Sequence, residues 1–263
     1  MNIYRREIRS NLKSMIFWCL GVLLFLAASM QKYQALSLDP ASLNIMVQLP
    51  QALQEMFGVG YLNFAKASGF YGMIYPYLVL MAAVHASMLG AVVVSKEERD
   101  KTGEFLYAKP ASRAGVLTSK ALSALTAAGV LTLVIWASSL AFVQGGGEAL
   151  GGTIARLMAG LFLTQLLFLS LGVASAAVAA RPKAATGIAT GVMLATYLLS
   201  IAIDVSGRLG ALKPFTPFEY FDARRIIGRG EGLNPWYVAL CLLLTAALTA
   251  AAYLRFQKRD LKV

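Results

Sequence analysis

Six long stretches of the chain contain no Asp, Glu, Lys or Arg. They cover residues 14–31, 67–95, 121–147, 157–180, 184–203 and 232–254. Charged side chains are costly in hydrocarbon, and a helix needs about 20 apolar residues to cross it. Backbone polar groups in lipid must also be paired within the membrane, and the stretches lack the alternation of barrel strands. The sequence therefore predicts an all-α polytopic membrane protein with six transmembrane helices.

The composition agrees with this fold class, since 58% of the residues are hydrophobic, 14% are charged and the mean hydropathy is +0.63. These values exclude an ordinary soluble domain and a disordered chain. Only Cys19 and Cys241 are available for a disulfide, which excludes a disulfide framework. We predict a single transmembrane domain over 1–263, with spans at about 14–31, 70–94, 116–143, 157–180, 184–203 and 235–254.

The basic residues predict the orientation, because Lys and Arg collect on the cytoplasmic side of a membrane. With both termini inside, 16 of the 24 basic residues lie on the inner side. We therefore expect a multi-pass protein of the cytoplasmic membrane with both termini in the cytoplasm. Topology then explains the net charge of +11, and no nucleic-acid partner is needed. The exception is the outer segment 204–234, which carries five basic residues and is expected to be re-entrant or to lie on the membrane surface.

Residues 1–14 form a basic, amphipathic flank before the first span. A helix there would place Ile3, Ile8 and Leu12 on one face and basic residues around the rest. This pattern predicts an elbow helix that lies in the inner interface. Residues 1–29 also resemble a signal peptide, but the 18-residue apolar run and the long flank favour a retained span.

The inner connection 95–113 reads SKEERDKTGEFLYAKPASR. Glu97 and Lys101 form an (i, i+4) pair in the favourable order, which predicts a short helix that Pro110 ends. Phe105 and Leu106 are unusually apolar for a solvated loop. On chemistry alone, a docking element for another protein and a loop that only enforces topology both remain open.

This connection resembles the signature of ABC type-2 exporter permeases in the loop after their second span. That pattern has an acidic-basic start, then Gly-Thr, an acidic residue, two apolar residues and Pro-x-Ser-Arg. The matching residues are Glu98-Arg99, Thr102-Gly103-Glu104-Phe105-Leu106 and Lys109-Pro110-Ala111-Ser112-Arg113, with Thr102-Gly103 in reverse order. Residues 214–227 resemble the family's Pro-Phe and Tyr-Phe-Asp stretch before the sixth span, and Lys258-Arg259-Asp260 its basic tail.

The resemblance implies the transmembrane subunit of an ATP-binding cassette exporter. Such a subunit pairs with a second permease copy or a related permease, and with two ATPase subunits that bind ATP and Mg. The chain itself would bind no cofactor, would contact membrane lipid, and would export an amphipathic or lipid-like substrate such as a peptide antibiotic, a drug or a lipid. In the family, the inner-loop helix couples the ATPase to the spans. The expected coupling residues here are Glu97, Glu98, Arg99, Lys101, Thr102, Gly103, Glu104, Phe105, Leu106, Pro110 and Arg113.

The sequence lacks the residues that several kinds of catalysis and transport would require. There is no G-x-x-x-x-G-K-[ST] phosphate loop, and His85 is the single histidine, which disfavours ion-coupled transport. Glu97-Glu98 resembles the start of a membrane-protease motif, E-E-x-x-x-R, but position 102 is Thr. No nucleophile elbow or Cys/His cluster is present, so we expect a non-catalytic chain without a metal site. A non-transporting sensor or immunity subunit stays open as the alternative, and an intramembrane enzyme is less favoured.

Two further sets of residues are candidates for transport and assembly. A substrate path could include His85 and the outer-segment residues Phe215, Phe218, Tyr220 and Phe221, although a hydrogen-bonded packing role for His85 is favoured. Gly187 and Gly191 have the spacing that lets helices approach closely. Their contact would lie either within the chain or at a dimer seam.

Overall fold

The structure is a computed structural model that describes residues 3–37, 48, 50–100, 112–144, 150–179, 181–207 and 209–258. Short 3-10 turns at Gly210–Phe215 and Pro217–Glu219 and a π-turn at Arg224–Gly228 precede the last helix. Apart from a bridge between Val59 and Leu62, the described ranges contain no β-structure. They contain seven α-helices: α1 (Ile3–Ser37), α2 (Gln51–Phe57), α3 (Ala67–Arg99), α4 (Arg113–Gln144), α5 (Gly151–Val178), α6 (Pro182–Ser206) and α7 (Pro235–Lys258).

Six of these helices, all except α2, are long and apolar enough to cross a membrane. The prediction of an all-α polytopic membrane protein is confirmed. The helices extend beyond the uncharged windows, and α3 continues through Lys96, Glu97 and Glu98 to Arg99. Lys, Glu and Arg are good helix formers, so the end of the apolar stretch does not end the helix.

Helices α3 and α5 form the centre of the bundle. In both helices, 72% of the residues in the most apolar 18-residue stretch are buried, whereas in α7 only 11% of that stretch is buried. The two central backbones touch at a pair of glycines: a Cβ added at Gly90 would lie 2.3 Å from the carbonyl oxygen of Leu169. A Cβ added at Gly172 would lie 2.3 Å from the carbonyl oxygen of Ser87. Side chains larger than hydrogen would therefore push the central helices apart.

The amphipathic flank is continuous with the first span. Helix α1 runs from Ile3 to Ser37 without a break, so residues 3–14 form its first turns and no separate elbow helix is present. The first glycine of the chain is Gly21 and the first proline is Pro40, so nothing in this flank interrupts the helical hydrogen bonds. Ion pairs with α3 hold the flank against the bundle at Glu7.

The bundle has two ends with different contents. At the terminal end, where α1 begins and α7 ends, Arg113 at the start of α4 donates to the carbonyl oxygen of Gln257 in α7 (3.2 Å). At the opposite end, Tyr33 of α1 donates to the carbonyl oxygen of Ala65 (3.1 Å). Arg156 at the start of α5 donates there to the carbonyl oxygen of Glu231 (3.3 Å). The polar clusters of the chain lie at these two ends.

Candidate functional site

The predicted coupling segment begins within a long helix. Glu97, Glu98 and Arg99 form the last turn of α3, and Arg113 is the first residue of α4. The rest of the segment lies outside the described residues, and this includes Lys101, Thr102, Gly103, Glu104, Phe105, Leu106 and Pro110. The structure therefore describes how the segment is anchored at its two sides.

Glu97 is buried at the terminal end and joins three helices. Its carboxylate forms an ion pair with Lys120 of α4 and accepts a hydrogen bond from Arg6 of α1 (3.1 Å). Lys120 is only 1% exposed and also donates to the carbonyl oxygen of Val93 (2.6 Å). Buried charges are tolerated only when they are paired in this way. Glu97 is thus a positioning residue within the bundle, and its carboxylate is not displayed on the surface.

A second buried carboxylate extends this network. Glu7 of α1 is fully buried and pairs with Lys96 of α3, while Arg6 lies 3.4 Å from it. We call Arg6, Glu7, Lys96, Glu97 and Lys120 the terminal-end network. It ties the ends of α1, α3 and α4 together directly beside residues 101–111. The sequence analysis did not identify Glu7 and Lys120 as members of this network. Their position within or beside charged flanks was the one sequence feature that could have indicated a role.

The other described coupling residues are more accessible. Arg99 is 44% exposed in its side chain and lies 2.9 Å from the carboxylate of Asp100. This hydrogen bond lowers the pKa of Asp100. Glu98 is half-buried, and Arg113 is exposed. These charged side chains lie in the helix ends that flank residues 101–111 in the chain.

His85 lies inside the bundle between α1 and α3. It is 3% exposed, and its ring lies 5.4 Å from the ring of Trp18 at an interplanar angle of 59°. Its Nδ1 atom has no hydrogen-bond partner among the described residues. His85 therefore packs against an aromatic ring with its Nδ1 unpaired, and a hydrogen-bonded packing role stays a prediction. Its place in a substrate path stays a prediction.

Three of the four candidate aromatic residues anchor the segment between α6 and α7. Phe218 packs between the rings of Phe168 and Tyr197, with both centroids at 5.2 Å. Tyr220 stacks on Tyr237 at 4.9 Å, and Phe221 is buried against Gly160 of α5. Phe215 is different because it is 70% exposed. The structure thus brings Phe218, Tyr220 and Phe221 together and leaves Phe215 on the surface.

Tyr220 also closes the turn that precedes it. Its hydroxyl donates to the carbonyl oxygen of Pro214. Burial raises the pKa of Tyr220 to about 12, so the hydroxyl keeps its proton and remains a donor at neutral pH. Thr216 donates to the carbonyl oxygen of Thr196 in α6 (2.8 Å) and fixes the same segment to the bundle.

Arg224 is the centre of a second polar cluster, at the opposite end. Its guanidinium lies 2.7 Å from Asp204 of α6, 2.7 Å from Asp222 and 3.7 Å from Glu219. It also donates to the carbonyl oxygen of Glu55 in α2 (3.0 Å). Burial acts to lower the pKa of Arg224, but the carboxylates of Asp222 and Asp204 more than offset it, so the pKa is raised. Arg224 therefore stays charged and joins α2, α6 and the outer segment.

Glu219 is the most buried carboxylate of this cluster, at 5% exposure. Its nearest cation is Lys213, at 3.1 Å. Burial, followed by the charge of Asp204, raises the pKa of Glu219. Three carboxylates thus share Arg224 and Lys213, which leaves one negative charge in excess when all are ionised.

A cavity of about 310 Å³ opens beside this cluster. Its lining combines both signs of charge and includes Glu55, Asp204, Lys213, Asp222, Arg225 and Arg229. The aromatic ring of Tyr61 also lines it, with the Arg229 guanidinium 5.3 Å above the ring centroid. The described residues contain no group of three His, Cys, Asp or Glu arranged to hold a metal ion. The charges of both signs in its lining are suited to a charged or polar ligand.

Gly187 and Gly191 pack against none of the residues that the structure describes. Both are exposed on α6, and a Cβ added at either would meet nothing within 4 Å. Their neighbours Ile188, Val192 and Leu198 are exposed as well. Close packing of these two glycines inside one chain is therefore wrong, and the glycine pair used inside the bundle is Gly90 and Gly172.

A family model described as "ABC-2 family transporter protein" matches residues 1–261, nearly the whole chain. No curated protein sequence matches it.

Proposed function

We propose that this chain, which belongs to the ABC-2 transporter family, is the membrane permease of an ABC transporter that exports an amphipathic or lipid-like substrate. Separate ATPase subunits would hydrolyse the ATP that drives this export. Two observations support this proposal: the family match, and the terminal-end network, which joins three helices beside the charged segment 95–113. Membrane subunits of this family generally work with ABC ATPase partners. We propose that the partner supplies ATP and Mg, and that this chain is non-catalytic.

The terminal-end network supports a coupling role for residues 95–113. The segment leaves α3 at Arg99 and returns at α4, and the buried pair Glu97–Lys120 links those two helices. Arg6 adds α1 to the same network. When an ATPase displaces the segment, the ends of α1, α3 and α4 would therefore move together. We propose that this movement opens a route for substrate through the complex.

We propose that the terminal end faces the cytoplasm. The excess of basic residues on this side supports the orientation. It also places the charged coupling segment where a cytoplasmic ATPase can bind it. Two ATPase subunits would then match two permease chains.

The exposed face of α6 supports pairing with a second permease. Gly187 and Gly191 leave a shallow groove between apolar side chains, and α1 also exposes Phe17 and Leu24. Small residues let two helices approach closely in lipid. We propose that this face contacts a second copy of the chain or a related permease, with membrane lipid covering what remains.

The test is co-purification with the ATPase encoded beside this chain. We expect Glu98→Lys combined with Glu104→Lys to abolish co-purification and substrate-stimulated ATP hydrolysis. The matched control is Glu231→Lys, because Glu231 is exposed at the opposite end. The variant chain alone should elute as the unmodified chain does.

An intact complex with normal stimulation in the double variant would contradict the coupling assignment. Unchanged substrate export in cells that lack the chain would contradict the permease function itself. That second result would favour a non-transporting sensor or immunity subunit.

A further inference from the structure

The outer segment contains more basic residues than its side of the membrane usually carries, and the structure accounts for most of them. Arg224 is surrounded by three carboxylates, and Lys213 pairs with Glu219. Arg229 lies over the ring of Tyr61 and 3.7 Å from Glu231. Arg208 lies outside the described residues. Arg225 is the basic residue whose charge remains to be explained.

Arg225 lines the cavity without a partner. It is half-buried, and its guanidinium forms no ion pair or hydrogen bond with any described side chain. A guanidinium carries five donors and strongly favours a bidentate anionic partner. The cavity therefore presents an unused anion-binding group.

Glu55 supplies the opposite charge on the same cavity. One of its carboxylate oxygens accepts a hydrogen bond from Gln51 within α2 (3.0 Å), but no described cation pairs with it. Glu55 and Arg225 also form no ion pair with each other. The cavity thus holds one free positive and one free negative group that do not touch.

The remaining lining charges do not change this balance. Arg224 lies 2.7 Å from both Asp204 and Asp222, so one guanidinium faces two carboxylates. Lys213 pairs with Glu219, and Arg229 adds a further positive charge to the lining. The lining thus carries four basic and three acidic side chains, and an anionic group at Arg225 would meet no net negative charge. A ligand with both an anionic and a cationic group would match the two free side chains.

The surroundings place the cavity at the edge of the membrane. It lies beyond the end of α6, at Gly207 and Gly210. Phe215 and Trp236 are 70% and 66% exposed in the same region of the chain. Exposed aromatic side chains at the ends of transmembrane helices lie at the level of lipid headgroups. The available zwitterion at this depth is a lipid headgroup.

We infer that this cavity binds the headgroup of an aminophospholipid, with the phosphate at Arg225 and the ammonium at Glu55. The primary ammonium can donate hydrogen bonds to the Glu55 carboxylate, whereas a choline group has no N–H to donate. A glycerol headgroup carries the phosphate without the cation. The cavity volume of about 310 Å³ is sufficient for such a headgroup. This inference concerns binding to the chain alone and does not require an ATPase partner.

The test is native mass spectrometry of the full-length chain in detergent with added lipid. Phosphatidylethanolamine, phosphatidylcholine and phosphatidylglycerol with identical acyl chains should be compared. We expect phosphatidylethanolamine to bind about tenfold more tightly than the other two, because each of them loses one charge-assisted hydrogen-bonded contact. Arg225→Gln and Glu55→Gln should each remove most of this preference.

Matched controls separate the site from general surface charge. Lys66→Gln removes an exposed charge at the same end of the bundle, outside the cavity, and should leave the preference unchanged. Arg225→Lys keeps the charge and should retain binding in part, which covers the case in which Arg225→Gln fails to fold. Equal binding of the three lipids, or a preference that survives both Gln variants, would overturn the inference.

Soluble phosphoethanolamine distinguishes a lipid headgroup from a free ligand. We expect it to compete only weakly, because it lacks the acyl chains that hold the headgroup at this depth. If it displaced the lipid at equal concentration, assignment of the site to a membrane lipid would be overturned.

Discussion

A single methyl group at Gly90 should weaken the centre of the bundle. The added Cβ would lie 2.3 Å from the carbonyl oxygen of Leu169, whereas ordinary van der Waals contact begins at 3.4 Å. The contact atom is backbone and cannot rotate away, so α3 and α5 must separate by about 1 Å. Overpacking of a well-packed core typically costs about 1–3 kcal/mol. The same argument applies to Gly172, whose Cβ would meet the carbonyl oxygen of Ser87.

Thermal unfolding of the purified chain in detergent measures this cost. For a chain of this size, 1–3 kcal/mol corresponds to a fall in Tm of about 2–12 °C. Gly90→Ala and Gly172→Ala should both show it. Gly187→Ala and Gly191→Ala are the matched controls, because nothing lies within 4 Å of the added methyl group. The controls should keep the Tm or raise it slightly, since Ala is the better helix former.

The outcome that would refute this reasoning is specific. If Gly90→Ala kept the Tm of the unmodified chain while Gly187→Ala lowered it, the packed and the exposed glycine faces would have been assigned the wrong way round. A loss of dimer in Gly191→Leu with no change in the Tm of the monomer would separately support the proposed contact between permeases.

Two further predictions concern the polar clusters. Lys120→Met leaves the buried carboxylate of Glu97 with Arg6 as its cation, and should lower the free energy of unfolding by about 3 kcal/mol. Adding Glu97→Gln should recover part of this loss. An unchanged Tm in Lys120→Met would contradict the pairing of Lys120 with Glu97. Burial raises the pKa of Glu219 in the folded state above 4.5, so the folded state binds the carboxyl proton more tightly than the unfolded state does. The protonated Glu219 side chain therefore stabilises the fold fully below pH 4.5, and this stabilisation is lost as the pH rises through the raised pKa. Glu219→Gln should flatten that part of a Tm profile measured from about pH 8 to pH 4, and a profile equal to that of the unmodified chain would contradict it.

The fold could be predicted because charge and hydrocarbon are nearly incompatible. Each uncharged window coincides with a transmembrane-length helix, so the windows predicted the number and order of the spans. The windows could not predict where the helices end. Helix α1 begins at Ile3 and α3 continues to Arg99, because backbone hydrogen bonding continues into charged residues that favour helix.

The candidate sites were less accessible to sequence reasoning because their contacts join distant residues. Glu97 was marked as a coupling residue, but its partners Arg6 and Lys120 lie on two other helices. Nothing in local spacing pairs them. Arg225 was only one of five basic residues in the outer segment, and its lack of an ion-pair partner became evident only once Arg224 and Lys213 were seen to be paired.

Helix α3 runs from the terminal-end network to the outer segment, where Gly72 lies against Ile227. Its 33 residues give a rod of about 50 Å, held at one end by the terminal-end network and at the other beside the outer segment. The contact with α5 at Gly90 lies between these ends, and the two helices could pivot there because their backbones touch. We therefore predict that a displacement of the last turn of α3 moves its other end in the opposite direction, except for the part of the movement that bending at Pro76 takes up.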